Sequence, residues 1–346
     1  MYKSDAVSVT ESTRRGFWWH SVGVVGVLML WAATAAADLA LLSGTIGPSD
    51  ADLSIVDTST NQLVREPESP DPAIQGYFSL AVAEATGTVV VGPSNRDGIE
   101  ILRPGFRSFV PLPETPVWIA PEPDGRRAWI STFDSLELVD LQAGTRETVI
   151  DRGMAGVAVS ADGSRAYAVF NGTVIPPLEP SLLTIDTTTR NVIGRVILRE
   201  DFSLFGGVTV SPSGDRVYVA DTGGGAPLFV VDPIAQVLVD EISFGDAVEP
   251  YHSVFGPDPS VLYVSTSDGV SIIDTASNTV IDSADLEFFQ TAIDLDSAGD
   301  QLYVLGAGGT LHVLDPTTLD EITTLQLPFG EVFNSNQFIV PTTPDR

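Results

Sequence analysis

The chain contains no cysteine. That single absence excludes disulfides, thiolate catalysis, cysteine-ligated zinc, covalent c-type haem attachment and a lipid-modified cysteine. Lysine occurs once, at Lys3, and histidine only at His20, His252 and His312. A three-histidine zinc centre therefore has no ligand set beyond the N-terminal segment. No amphipathic helical period runs through the chain, and no long apolar run follows residue 37. Positive charge is scarce: 17 Lys and Arg face 46 Asp and Glu, a formal net charge of −29. Such a surface repels phosphate backbones and anionic lipid, so neither nucleic acid nor a membrane is expected as partner of the mature protein. The acidity itself reads first as a means of solubility.

What is present begins with an N-terminal segment. Thr13-Arg14-Arg15-Gly16-Phe17-Trp18 is followed by SVGVVGVLMLWAATAAA, which ends in Ala35-Ala36-Ala37 before Asp38. Charged, apolar and small-residue regions in that order are those of a cleavable export signal over residues 1–37. Arg14-Arg15 with Phe17 resembles the twin-arginine signal, with Trp18 where an aliphatic residue is usual. The apolar run is shorter than the roughly 20 residues a membrane span needs. Removing residues 1–37 leaves 14 arginines against 44 carboxylates. The expected location is periplasmic, secreted or cell-surface.

Residues 38–346 repeat. An apolar alternation, a tight turn and an aromatic or β-branched strand recur as WIAPEPDGRRAWIS, VAVSADGSRAYAV, VTVSPSGDRVYVA and IDLDSAGDQLYVL. A second signature is an apolar strand ending in aspartate, then a polar turn and another strand, as in LTIDTTTRNVIGRV and SIIDTASNTVI. Its aspartates are Asp57, Asp140, Asp186, Asp232, Asp274 and Asp315, with Arg103 in the place between the first two. Four short strands per unit of about 40 residues is the pattern of a β-propeller blade. One blade cannot cover both its faces, so a ring of blades is required.

SPSGDRVYVAD, SADGSRAYAV and the IDTTTRNV-type strand ends resemble the YVTN-family β-propeller repeat over nearly all of 38–346. The resemblance implies an all-β, exported propeller and says little about activity. Six units run from about residue 75 to 328. The closing blade is expected to be shared, with three strands from DLALLSGTIGPSDADLSIVDTSTNQLV and one from FNSNQFIVPTTPDR. The expected fold is thus a single seven-bladed domain.

In such a ring the segments before the innermost strands converge on one mouth of the channel, here called the top. They bring Arg152, Asp201, Tyr251, His252, Gln290 and Asn334 as candidate ligand-binding residues. A mixture of acid, base and hydrogen-bonding groups at a concave mouth is what a binding pocket requires. The Asp221-Thr222-Gly223-Gly224-Gly225 loop falls on the same face. It matches no phosphate loop, since no Gly-Lys-Ser/Thr or following helix is present. The turn aspartates come one per blade, far apart around the ring, and suit turn opening better than metal binding. Asp294-Leu-Asp296-Ser-Ala298-Gly299-Asp300 lacks the ligands of a calcium loop, and no nucleophile elbow supports a serine triad. No catalytic residue, metal or cofactor is assigned. The expected function is a non-enzymatic binding or scaffolding propeller of the cell envelope, recognising a protein or small ligand through its top loops. The alternative is a lactonase-like hydrolase working in the channel through Arg152, His252 and Glu249.

Overall fold

The computed structural model describes residues 39–45, 51–65, 77–93, 96–103, 105–174, 177–200, 205–223, 225, 227–286, 290–296, 298–306 and 309–327. The expected export signal over residues 1–37, Asp201 and Asn334 lie outside them. Among the described residues every regular element is a strand. A three-stranded antiparallel sheet holds β1 (Leu39–Thr45), β2 (Ala51–Asp57) and β3 (Gln62–Arg65). The first four-stranded sheet is β4 (Tyr77–Ala83), β5 (Thr88–Pro93), β6 (Gly98–Arg103) and β7 (Phe106–Pro111). The second is β8 (Pro116–Pro121), β9 (Arg127–Thr132), β10 (Leu136–Asp140) and β11 (Thr145–Ile150). The third, β12 (Gly156–Val159), β13 (Arg165–Phe170), β16 (Ser181–Asp186) and β17 (Val192–Ile197), carries a small hairpin of β14 (Thr173–Val174) and β15 (Pro177–Leu178). The fourth is β18 (Phe205–Val210), β19 (Val217–Asp221), β20 (Leu228–Asp232) and β21 (Val237–Ile242). The fifth is β22 (Pro250–Phe255), β23 (Val261–Thr266), β24 (Gly269–Asp274) and β25 (Thr279–Asp285). The sixth is β26 (Gln290–Leu295), β27 (Leu302–Gly306), β28 (Thr310–Leu314) and β29 (Glu321–Gln326).

The first strands lie side by side around an axis, β4 beside β8, then β12, β18, β22 and β26. This is a β-propeller. Its middle strands are covered on both faces by neighbouring sheets, which is why RAWIST, VYVAD and LYVLG read as near-continuous apolar runs. Trp129, Tyr167, Tyr218 and Tyr303 fill the inter-sheet space from one equivalent position of the second strands. Outer strands such as TRETVI in β11 are exposed.

The turn aspartates act through their carboxylates. Asp57, Asp140, Asp186, Asp232, Asp274 and Asp315 each accept backbone N–H bonds from the residues two and three positions on. The residue four positions after the aspartate then takes a positive φ, at Asn61, Gly144, Arg190, Gln236, Asn278 and Leu319. The fixed carboxylate lowers the cost of that conformation for side chains other than glycine.

Six sheets have four strands, whereas among the described residues the three-stranded sheet has no strand in the innermost place. β1 lies against β4 in the way β5 lies against β8 and β9 against β12, that is, as a second strand. Val56 and Leu63 pack with Ala292, Tyr303, Leu305 and Val313 of the sixth sheet. Tyr263 donates its hydroxyl to Pro316 O (3.0 Å) in the turn of the following sheet, and Tyr303 likewise donates to Asn61 Oδ1 (2.8 Å) in the β2–β3 turn. The three-stranded sheet therefore follows the sixth sheet as the sixth follows the fifth. The expected partner strand for it falls in residues 328–346, outside the described residues.

Candidate functional site

The top face is where first strands begin and second strands end. Pro116-Val117-Trp118 and Pro250-Tyr251-His252 occupy the same place in two repeats, and each opens its strand with a register shift, between Pro116 and Trp118 and between Pro250 and His252. The extra residue of such a bulge re-aims the side chains on either side of it. Trp118 belongs to the second sheet and His252 to the fifth, yet their rings stack with centroids 4.9 Å apart and planes at 13°. The two side chains therefore meet across the centre of the ring. Space for this comes from Gly207 on β18, where an added Cβ would stand 3.5 Å from Trp118 Cη2 and 3.3 Å from His252 Cα. Gly206 beside it approaches Tyr251 so closely that a Cβ would be 2.7 Å from its carbonyl oxygen.

His252 was expected to present its imidazole to the channel mouth; instead the ring is enclosed, at 9% exposure. Burial pushes its pKa down to about 3, so the imidazole is neutral at physiological pH. Tyr251, the bulged neighbour, is half-buried and its hydroxyl donates to Glu249 Oε2 (3.0 Å). Burial raises the phenol to about 12, helped by the hydrogen bond to Glu249 and the negative charges of Glu249 and Asp268.

Arg152 is exposed and its guanidinium lies 5.0 Å from the centre of the Phe170 ring. Among the described residues no carboxylate pairs with it. Phe170 in turn packs in the buried cluster that contains Trp118 and Met154, so Arg152 rests on the shoulder of the Trp118–His252 stack. Next to it Phe133 protrudes at 68% exposure from the β9–β10 loop. Gly153 makes that contact possible, since a Cβ there would fall 1.8 Å from Phe133 O. Further round, Arg199 donates to the fully buried Asp221 (2.6 Å), which also accepts Gly223 N–H (3.0 Å) and so holds the glycine loop after β19. Breaking such a pair would leave a buried charge alone. Gln290 opens β26 at the same level, its backbone paired with Gly306.

The structure thus places Arg152 before the third sheet and Tyr251 and His252 at the start of the fifth, and does not assemble them into a proton-transfer group. Each is engaged elsewhere: Arg152 on Phe170, Glu249 on Tyr251, His252 on Trp118. Other buried acids hold strands together: Glu100 pairs with Arg107 (2.5 Å), Glu122 with Arg127 (2.7 Å) and Glu137 with Arg146 (2.9 Å). Among the described residues no three His, Asp or Glu side chains gather as a metal site. Sequence reasoning missed Trp118 and Phe133. The shared Pro-x-aromatic opening of two first strands was the available signal for Trp118.

No family model matches the chain, and no curated protein matches its sequence. Among solved structures, the fold is similar to a chain of Kuenenia stuttgartiensis hydrazine synthase, with a TM-score of 0.59 and 18% identity over 69% of this chain and 76% of that one. The likeness is one of fold: this chain belongs to the β-propeller class.

Proposed function

We propose that the protein is an exported, non-enzymatic propeller of seven blades, of the YVTN-repeat kind, which binds a protein or small ligand through its top-face loops at the cell envelope. The observation that carries this reading is the Trp118–His252 stack. It buries both rings in the middle of the propeller, so the chemistry offered to a partner is read at the more accessible Phe133, Arg152 and Tyr251 of the same face. A protruding phenylalanine and a guanidinium that no carboxylate pairs with among the described residues are groups that enrich recognition surfaces. Burial of His252 disfavours a hydrolase, because a neutral imidazole with so low a pKa is a poor general base. The seventh blade is supported by the place of β1–β3 between the sixth and first sheets, and export by the order of regions in residues 1–37.

The test is capture from the exported fraction with immobilised protein, comparing wild type with the Phe133→Ser/Arg152→Ala variant. A stoichiometric partner lost by the variant supports top-face recognition; a partner retained by it refutes the assignment of the face. Turnover in a lactone and ester panel that disappears in His252→Ala would replace binding with hydrolysis. Export is tested by Arg14→Lys/Arg15→Lys, which should retain the precursor inside the cell.

A further inference from the structure

The outer strands repeat a feature that the top face does not use. In five of the sheets the register between third and fourth strands skips one residue seven positions after the turn aspartate. The skipped residues are Val64, Ile193, Val239, Ile281 and Ile322, all β-branched aliphatics. A bulge disturbs the edge ladder and discourages addition of a further strand. The residue placed on it need not be apolar for that purpose, yet Val239 and Ile281 stand 43% and 58% exposed. They are joined by exposed Val237 on β21, Val280 on β25 and Ile234 in the β20–β21 turn. Asn278 Nδ2, in the turn that leads into β25, donates to Asp240 Oδ2 on β21 (3.1 Å) and so links the two neighbouring blades at their outer side. Asp240, Glu241, Asp282 and Asp285 are exposed on the same two strands. No lysine or arginine occurs between Arg216 and Arg346, so nothing in this part of the wall neutralises them.

We infer that the outer wall formed by β21 and β25 docks a partner whose contact face alternates aliphatic and basic side chains. Exposed Val and Ile supply the apolar contact, and the carboxylates select positive charge and speed encounter. A second copy would bring another chain of net charge −29 against the same patch. An anionic lipid surface would meet the same repulsion. The broken edge ladder directs the contact through side chains rather than through an added strand. This wall is separate from the top face, and substitutions distinguish the two.

The probe is an alternating arginine–leucine decapeptide, titrated into the purified chain by fluorescence anisotropy beside deca-arginine and an alternating glutamate–leucine decapeptide. The arginine–leucine peptide should bind at least ten-fold more tightly than either. Val239→Ser/Ile281→Ser should lose at least ten-fold in affinity, and Asp240→Asn/Asp282→Asn should lose affinity together with its salt dependence. Phe133→Ser/Arg152→Ala on the top face should bind as wild type. The second pair leaves the apolar residues in place, so it still decides the matter if the first folds poorly. Equal binding of deca-arginine, or unchanged affinity in the charge variant, overturns the inference in favour of general acidity. Self-association in sedimentation that the Val239/Ile281 variant abolishes overturns it in favour of a second copy.

Discussion

An imidazole held flat against Trp118 has its protonation state set by its surroundings. The pKa of His252 falls from 6.5 to about 3 because burial penalises the cation. In the unfolded chain the ring takes a proton near pH 6.5, so the stabilisation is complete above that pH and is lost progressively down to about pH 3. Each pH unit in the window corresponds to about 1.4 kcal/mol. His252→Phe keeps an aromatic ring over Trp118 and removes the titration. Urea unfolding between pH 6.5 and 4 should therefore show the wild type losing stability relative to the variant, by roughly 1 kcal/mol per unit; parallel curves would contradict the enclosure of this ring. Asp162 works in a lower range. Hydrogen bonds from Ser160 Oγ, Ser164 N–H and Ser164 Oγ lower its pKa to about 2. Its contribution is present above about pH 4 and disappears as pH falls through 2. Asp162→Ala should melt lower at pH 7, and the gap to wild type should close between pH 4 and 2, which a thermal melt series will read. The Asp162 turn was legible from SADGS alone, because the acceptor and its donors are sequence neighbours. The Trp118–His252 stack was not, since it joins residues three sheets apart and depends on the width of the ring at Gly207.

At the scale of elements, two third strands open on a glycine for a steric reason. Gly98 and Gly269 have φ of +152° and +155°, and a Cβ there would lie 2.6 Å from Val110 O and 2.0 Å from Ala284 O. The backbone of the paired fourth strand thus leaves no room for a side chain at the start of the third. Gly214, at φ +73°, sits in a first-to-second turn with open space around it. Alanine at Gly214 meets only the left-handed backbone penalty, about 1 kcal/mol. Alanine at Gly269 meets that and a clash with a backbone oxygen that cannot swing aside, so it should cost at least about 2 kcal/mol more. Denaturant midpoints of the two variants check the difference; equal costs would mean that β25 moves freely from β24. Strand positions followed from alternation and from the aspartate turns. The bulges did not, because a skipped residue leaves the apolar pattern of TVI or VIG unchanged and appears only when the partner strand is in place.

For the whole molecule the decisive question is how the ring closes. Tyr303 reaches the β2–β3 turn as Tyr263 reaches the turn of the sixth sheet, and Asn61 Nδ2 donates to Gln301 Oε1 (2.7 Å) across the same junction. The N-terminal sheet is therefore seated next to the sixth, and among the described residues its innermost position has no strand. An unfilled place would leave the inner edge of β1 without backbone partners, a costly condition for a strand facing a core. FNSNQFIVPTTPDR has the length and the apolar Phe338-Ile339-Val340 run to fill it. Deleting residues 330–346 should then lower the melting temperature and expose the 39–65 segment to proteolysis first, because that sheet would lose the strand expected to fill its innermost place. Tyr303→Phe should weaken the same junction more mildly, by about 1 kcal/mol for one hydrogen bond. A truncated chain that melts and resists protease as the full one does would mean that the three-stranded sheet closes the ring unaided, and that the last residues serve something other than the fold.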